Sequence, residues 1–173
     1  EIANPQPGWT ALDVATGGGH TALKFAPYVG EMVATDLTPR MLAAAQAFLT
    51  SKGIPNARFE FADAENLPFE AVTFDLVTCR AAPHHFPDCA RFLRESARVL
   101  KPGGLLLIQD QTVPEREPAA SVVQGFNEEI EDAPLSAHIQ RTAQERFTPP
   151  AFVLRRSMPW ADSSGAGLVF VNN

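Results

Sequence analysis

The chain has 173 residues, a formal net charge of -6 and a hydrophobic content of 45%, which indicates one globular domain spanning residues 1–173. No Lys/Arg cluster stands out, so the composition argues against a nucleic-acid partner. No apolar run is long enough to cross a bilayer, and the first residues lack a signal-peptide pattern. The two cysteines, Cys79 and Cys89, form no CxxC motif and fit a reducing compartment, so we expect a cytoplasmic protein.

Short apolar segments alternate with helical patterns along residues 1–110. Strands are predicted at 10–14, 31–35, 57–61, 74–79 and 105–109, and helices at 21–28, 39–52 and 90–100. A strong stop signal, Lys101-Pro102-Gly103-Gly104, separates the last helix from the last of these strands. The alternation predicts an α/β, Rossmann-like, doubly wound fold with a mostly parallel sheet and helices on both faces.

The pattern weakens after residue 110, and residues 111–173 form a C-terminal part that is spotted with proline and hard to interpret. A helix is predicted over 124–130, followed by a break at 148–150. Strands are predicted at 152–155 and 168–171, the last of them antiparallel to the sheet.

A glycine-rich loop follows the first predicted strand. Asp13 stands near the end of the strand, the cluster Gly17-Gly18-Gly19 comes next, and a helical pattern begins near His20. Glycine allows positive φ and close approach of a ligand, and the free N–H groups of the following helix point back at the loop. The order of strand, tight loop and helix is typical of a site for a nucleotide-like ligand, although three glycines alone are a weak signal.

Further polar residues stand at the ends of other predicted strands. Asp13, Asp36, Asp63 and Arg80 all fall at carboxyl ends, where ligands of parallel α/β sheets bind. Asp36 follows Gly17 by nineteen residues, a spacing at which an acid can accept hydrogen bonds from both hydroxyls of a ribose. The alternative is that Asp36 is only a stabilising charge at the start of the next helix.

These motifs resemble those of class I S-adenosylmethionine-dependent methyltransferases. The most similar branch is the small-molecule one, methyltransferase type 11, which includes the quinone-biosynthesis C-methyltransferases. The matching segments are 12–20, 34–41, 59–68, 74–88 and 93–110. The family motif acid-x-Gly-x-Gly-x-Gly stands here as Asp13-x-Ala15-x-Gly17-x-Gly19, with Ala15 in place of the first glycine. The resemblance makes residues 1–110 the expected cofactor-binding core.

The resemblance implies S-adenosylmethionine as the cofactor. Asp13 would steady the loop or the ammonium group, Asp63 would accept from the adenine amine, and the N–H of Ala64 would donate to a ring nitrogen. The alternative for Asp63 and Ala64 is a plain polar turn, and Met41 could equally be a core residue. The implied cofactor-binding residues are Asp13, Ala15, Thr16, Gly17, Gly19, Asp36, Leu37, Met41, Asp63, Ala64 and Arg80, with Leu37 and Met41 flanking the adenine.

The loop over residues 80–88 would lie beside the transferable methyl group. His84 and His85 are candidates for a general base because the unperturbed pKa of histidine suits that task, and the alternative is that they only pack and anchor the loop. Adjacent residues rarely ligate one ion and no third ligand cluster is evident, so we expect no metal.

The resulting interpretation is an enzyme that transfers a methyl group from S-adenosylmethionine to a small organic acceptor by in-line displacement. One alternative is an NAD-dependent oxidoreductase, since Gly17-x-Gly19-x-x-Ala22 fits that fingerprint, although Asp63-Ala64 argues against it. The other is a non-catalytic binding module of the same fold. It draws support from the short stretch before Asp13, where the family has a helical cover segment. Acceptor, methylated atom and oligomeric state stay open.

Overall fold

A computed structural model describes residues 3–111, 152–159 and 165–172, which form one seven-stranded sheet with three α-helices. The strand order is β3-β2-β1-β4-β5-β7-β6. The elements are β1 (Thr10–Val14), α1 (His20–Phe25), β2 (Glu31–Asp36), α2 (Pro39–Ser51), β3 (Ala57–Phe61), β4 (Phe74–Arg80), α3 (Cys89–Val99), β5 (Leu100–Gln111), β6 (Phe152–Pro159) and β7 (Gly165–Asn172). The predicted α/β fold is confirmed.

The first five strands are parallel, β7 runs antiparallel to them, and β6 runs antiparallel to β7. β1 pairs with β2 on one side and with β4 on the other, so the winding direction reverses between β1 and β4. β7 pairs antiparallel with both β5 and β6, as predicted for the end of the chain. The reversal point is where ligands of such sheets bind, and it places the site at the carboxyl end of β1.

The strands at the centre of the sheet bury both of their faces. Leu12, Val77 and their neighbours pack with Phe92 of α3 in one cluster. Met32, Leu76 and their neighbours pack with Leu49 and Ala22 of α2 and α1 in a second cluster. Alternate residues of one strand therefore enter opposite clusters, which is why successive residues of these strands are mostly apolar.

Several boundaries differ from the sequence-based prediction, and two of the differences have a clear physical cause. The helix predicted over 21–28 is α-helical only to Phe25, and Ala26–Tyr28 forms a 3₁₀ turn, since Pro27 has no N–H to continue the α-helical ladder. The predicted stop at 101–104 lies inside β5. Phe74 pairs with Leu100 but Leu76 pairs with Leu105, so the Pro-Gly segment bulges out of the pairing without ending the strand.

Of the predictions on the C-terminal part, the two strands lie within the described residues, and the helix and the break do not. The strands predicted at 152–155 and 168–171 lie within β6 and β7. The helix predicted over 124–130 and the break at 148–150 lie outside the described residues. Within the described ranges, no helix has both the length and the apolar character needed to span a membrane.

Candidate functional site

Asp13 lies beneath the glycine-rich loop at the end of β1. Its side chain is buried, and each oxygen accepts a hydroxyl hydrogen bond, Oδ2 from Thr16 Oγ1 at 2.7 Å and Oδ1 from Thr78 Oγ1 at 2.6 Å. Burial raises the pKa of Asp13 to about 6, and the hydrogen bonds from the two threonines oppose that rise. In these contacts Asp13 and the buried Thr16 hold the loop from below.

Three residues of the loop have left-handed backbone conformations: Ala15 with φ 53°, Gly17 with φ 55° and Gly19 with φ 81°. A Cβ on Gly19 would lie 2.6 Å from Leu49 Cδ1, so this glycine is required by the packing of α1 against α2. A Cβ on Gly17 would meet nothing within 4 Å. The loop thus bends at Gly17 beside open space, which fits a ligand that lies against its backbone.

Asp36 ties this loop to the start of α2. Its Oδ2 accepts from the N–H of Gly17 at 2.9 Å, and its Oδ1 accepts from the N–H of Thr38 at 2.9 Å. Asp36 therefore does support the start of α2, as the alternative from the sequence proposes, because it accepts from the N-cap residue Thr38. It does not displace ribose binding, because each carboxylate oxygen can accept a second hydrogen bond.

Two apolar side chains near Asp36 are exposed. Leu37 directly follows it and is 59% exposed, and Met41 in the first turn of α2 is 46% exposed. Met41 is thus not a core residue. Phe61, whose Cα pairs with that of Asp36 at the end of β3, is 58% exposed and was not singled out from the sequence. Apolar surface at this edge suits a flat aromatic ligand.

Asp63 and Ala64 form a polar turn after β3. Oδ1 of the exposed Asp63 accepts from the N–H of Glu65 at 2.8 Å, and the carbonyl of Asp63 accepts from the N–H of Asn66 at 3.0 Å. Ala64 is buried. The N–H of Ala62 donates to the carbonyl of Asp36 at 3.2 Å, so the turn is joined to the end of β2.

Helix α3 fixes this turn through three contacts that sequence reasoning missed. Glu65 Oε1 accepts from the N–H of Asp88, the N-cap of α3, at 2.7 Å. Glu95 Oε2 accepts from the N–H of Leu67 at 2.9 Å, and Arg98 donates to the carbonyl of Leu67 at 2.9 Å. The partners are 23 to 31 residues apart, and the only sequence signal was the acid of Glu65 beside Asp63.

Arg80 lies at the carboxyl end of β4 with an exposed side chain. Its Nε donates to Gln109 Oε1 of β5 at 3.1 Å, and its positive charge lowers the pKa of Asp13, against the larger effect of burial. Ala81, which follows it, has φ 50° and donates its N–H to the carbonyl of Gln109 at 2.7 Å. The loop after β4 therefore turns sharply and stays against the end of β5.

The two histidines of this loop have different surroundings. His84 is bonded twice to Asp110, through its backbone N–H to Oδ2 at 3.1 Å and through Nδ1 to Oδ1 at 2.8 Å. His85 is exposed, with its ring centroid 3.9 Å from that of His84. Asp110 was missed from the sequence, although it ends the apolar run of β5 in the same way that Asp13 and Asp36 end theirs.

Other chemistries find little support in this part of the chain. Burial raises the pKa of Cys89 to about 11 and also raises that of Cys79 above its ordinary value, so neither thiol is activated as a nucleophile. In the ranges that the structure describes, His, Cys, Asp and Glu side chains form no group of three that could hold a metal ion. The absence of a metal remains a prediction for the whole chain.

The sequence also matches known proteins. Residues 12–108 match the model of a family described as "Methyltransferase domain". The chain is 48% identical to an uncharacterized methyltransferase YcgJ of Bacillus subtilis over 104 residues, 60% of this chain and 41% of that protein. It is 37% identical to the ubiquinone/menaquinone biosynthesis C-methyltransferase UbiE of a Shewanella species over 121 residues, 68% of this chain and 48% of that protein. The matched parts span less than half the length of these curated relatives.

Solved structures share the fold. The crystal structure of YcgJ from Bacillus subtilis superposes with a TM-score of 0.78 at 26% identity, covering 99% of this chain and 95% of that one. A putative methyltransferase from Bacillus halodurans superposes with a TM-score of 0.79 at 28% identity and the same coverage. With more than half of the residues inside the family model, the chain belongs to the methyltransferase domain family.

Proposed function

We propose that the chain binds S-adenosylmethionine at the carboxyl edge of its sheet and catalyses methyl transfer to a small organic acceptor. The observation that carries this proposal is the pairing of Gly17 with Asp36, beside open space at the Gly17 Cα. When bound, S-adenosylmethionine supplies an activated methyl group that is displaced in line with a neutral thioether as the leaving group. The protein's part is then to position two partners and to exclude water.

The residues at this edge suit the parts of that molecule. Asp36 would hold the ribose, Leu37 and Met41 would flank the adenine, and Asp63 with the N–H of Ala64 would contact the adenine edge. The backbone of the loop from Ala15 to Gly19, held from below by Asp13 and Thr16, would face the methionine part, with Arg80 beside it. These assignments are proposals that rest on the placement of each residue at the same edge of the sheet.

The charges at the edge favour a cationic ligand. Asp13, Asp36 and Asp63 place three carboxyl groups at the ends of β1, β2 and β3, and S-adenosylmethionine carries a sulfonium and an ammonium group. The family membership argues against the oxidoreductase alternative.

We propose a single domain over residues 1–173, a small-molecule partner and no nucleic-acid partner, and a cytoplasmic location. The relatives named above are methyltransferases, one of them of ubiquinone and menaquinone biosynthesis. No acceptor is carried over from them.

Isothermal titration calorimetry with S-adenosylmethionine, S-adenosylhomocysteine and NADH tests the cofactor. We expect both sulfur compounds to bind and NADH not to bind, and binding of NADH alone would overturn the assignment. Formation of S-adenosylhomocysteine with a panel of small phenols, amines and thiols then separates the enzyme from a non-catalytic module. Binding without turnover of any acceptor would favour the module.

A further inference from the structure

We propose that His84, oriented by Asp110, is the general base that removes a proton from a phenolic or enolic O–H acceptor. This inference rests on the proposed methyl transfer and adds to it a residue role and an acceptor class. The finding that supports it is a carboxylate that bonds both the backbone and the ring of one histidine at the carboxyl edge of the sheet.

Asp110 holds His84 in one orientation. Its two oxygens bond different atoms of His84, the backbone N–H at 3.1 Å and ring Nδ1 at 2.8 Å. Asp110 itself is 5% exposed and lies on β5, which has a paired strand on each side. A buried carboxylate on a central strand is a rigid support, and it fixes the position of the ring as well as that of the turn.

The turn that carries His84 is fixed from the other side too. Pro83–His85 is a 3₁₀ turn in which Pro83 is buried, and its carbonyl accepts from the Cys89 thiol at 3.1 Å. The N–H of His85 donates to the carbonyl of Ala82 at 2.8 Å. The His84 ring therefore needs little rearrangement to keep its position during a reaction.

The contact with Asp110 favours one tautomer of the neutral ring. With Asp110 as a carboxylate, which only accepts hydrogen bonds, Nδ1 carries the proton and Nε2 keeps its lone pair. The His84 side chain is 21% exposed, which leaves part of the ring open to an acceptor. Nε2 is thus the atom that is able to take a proton.

The position of the pair matches that task. Arg80, Ala81 and Gln109 link the ends of β4 and β5, and Asp110 directly follows Gln109. β4 also borders β1, whose end carries Asp13 and the glycine-rich loop. His84 and the proposed cofactor loop are therefore at the same edge, on strands to either side of the point where the winding reverses.

The proton transfer balances within these groups. The acceptor's O–H bond breaks, a bond forms between the proton and Nε2, and the electron pair left on oxygen is the one that bonds to the methyl carbon. The positive charge on the His84 ring is balanced by the Asp110 carboxylate, and the proton later passes to water. A phenol, with a pKa near 10 as in tyrosine, is within reach of a histidine base, whereas an alkyl alcohol is far less acidic.

A purely structural role for His84 predicts different results, and two measurements separate them. The first needs no acceptor: long-range ¹H–¹⁵N NMR of histidine-labelled protein, with His84→Gln used for assignment. We expect His84 to carry its proton on Nδ1 at a pH where the ring is neutral. A proton on Nε2 would overturn the proposal, because that nitrogen then has no lone pair for the acceptor.

The second measurement compares acceptors with and without a proton to lose. We expect His84→Gln to lower kcat for phenols by about 10²–10⁴-fold while turnover of thioethers and tertiary amines falls by less than about threefold. Asp110→Asn keeps the shape of the side chain and removes its charge, so it should lower kcat for the same phenols by a smaller factor and leave KM for them nearly unchanged. Calorimetry on each variant should give the same affinity for S-adenosylmethionine as the wild type.

Each other outcome counts against the base. An equal loss for both acceptor classes indicates a structural role for His84. If phenol turnover is lost in His85→Gln but kept in His84→Gln, the general base is His85 and the assignment to His84 is wrong. Absence of phenol turnover by a wild-type protein that binds S-adenosylmethionine overturns the base and leaves the cofactor assignment standing. A wild-type protein that fails to bind S-adenosylmethionine overturns the proposed function itself.

Discussion

The backbone N–H of Gly17 donates a hydrogen bond to Oδ2 of Asp36 at 2.9 Å across a separation of 19 residues. This bond joins the loop after β1 to the end of β2. It makes Asp36 both a candidate ribose ligand and a support of the loop. The two roles of one carboxylate decide what its removal should do.

Asp36→Ala should weaken S-adenosylmethionine binding by about 30–150-fold, since two charge-assisted hydrogen bonds to the ribose are lost and water replaces them in part. From the sequence, a role as ribose ligand predicts almost no change in stability. The bonds to Gly17 and Thr38 change that expectation, and we expect the free energy of unfolding to fall by about 1–3 kcal/mol. Calorimetry and urea denaturation on the same variant measure both effects.

Asp36→Asn is the matched control. Its amide oxygen keeps one acceptor for a backbone N–H, so it should recover part of the lost stability. It should recover less of the affinity, because a neutral amide accepts more weakly from hydroxyl groups than a carboxylate does. Unchanged affinity in both variants would show that Asp36 supports the loop and does not contact the cofactor.

Gly17→Ala and Gly19→Ala should fail in different ways. Both residues have positive φ, so each change costs about 1–2 kcal/mol of backbone strain. A Cβ on Gly19 would also lie 2.6 Å from Leu49 Cδ1, so Gly19→Ala should lower the free energy of unfolding more than Gly17→Ala does. A Cβ on Gly17 enters open space, and Gly17→Ala should lower S-adenosylmethionine affinity by about tenfold or more.

Thermal melts and calorimetry on both variants check this contrast. We expect Gly19→Ala to have the larger fall in Tm of the two variants. We expect Gly17→Ala to have the larger fall in affinity for its loss of Tm. If Gly17→Ala binds S-adenosylmethionine as the wild type does, the open space beside Gly17 is not the cofactor site.

The fold was predictable from the sequence because its signals are local. The central strands are short segments rich in apolar residues, and Asp13 and Asp36 stand at or next to the ends of two of them. The strand register and the bulge at 101–104 were not predictable, because Pro102 and Gly103 are the same residues that end strands elsewhere.

The supports of the site were less accessible to sequence reasoning. The bonds of Glu65 with Asp88 and of Arg98 with Leu67 join residues far apart in the chain, and no local pattern marks them. Asp110 was within reach, since it follows an apolar run as Asp13 and Asp36 do. The apolar pattern predicts a strand only to Gln109, so it does not connect the acid that follows with His84.

Replacing Val72, which lies away from the proposed site, should stabilise the protein. Val72 has φ 59°, a conformation that β-branched residues strongly disfavour, and its side chain is 54% exposed. Val72→Gly should relieve that strain and keep the bond from the backbone N–H to the carbonyl of Arg98. Glycine also raises the conformational entropy of the unfolded chain, which offsets part of this relief. We therefore expect a net gain of about 0.5–1 kcal/mol in the free energy of unfolding.

Urea denaturation of Val72→Gly checks this gain, and affinity for S-adenosylmethionine should not change because Val72 lies outside the proposed site. Val72→Ala is the comparison, since it removes the branched side chain but keeps a Cβ at positive φ. It should gain less than Val72→Gly. A loss of stability in Val72→Gly would mean that the packing of the valine outweighs its strain.

Asp13 should make the protein less stable as the pH rises. Burial raises its pKa from 3.8 to about 6, so the folded state holds this proton more tightly than the unfolded state does. The contribution of the protonated group is complete below about pH 4 and is lost as the pH rises to about 6. The change of roughly two pKa units corresponds to about 3 kcal/mol. Asp13→Asn should remove this dependence. The free energy of unfolding of the wild type minus that of Asp13→Asn should therefore fall between pH 4 and 7.

Glu95 offers a control of the opposite sign. Hydrogen bonds from Arg98 lower its pKa, so its contribution to stability is present above its unfolded pKa and is lost as the pH falls. Wild type minus Glu95→Gln stability should therefore rise with pH in acidic buffer, whereas wild type minus Asp13→Asn stability should fall. Urea denaturation of the three proteins across pH 4 to 7 gives both differences. If the Asp13 difference also rises with pH, the carboxylate is favoured in the folded state, and its bonds to Thr16 and Thr78 outweigh its burial.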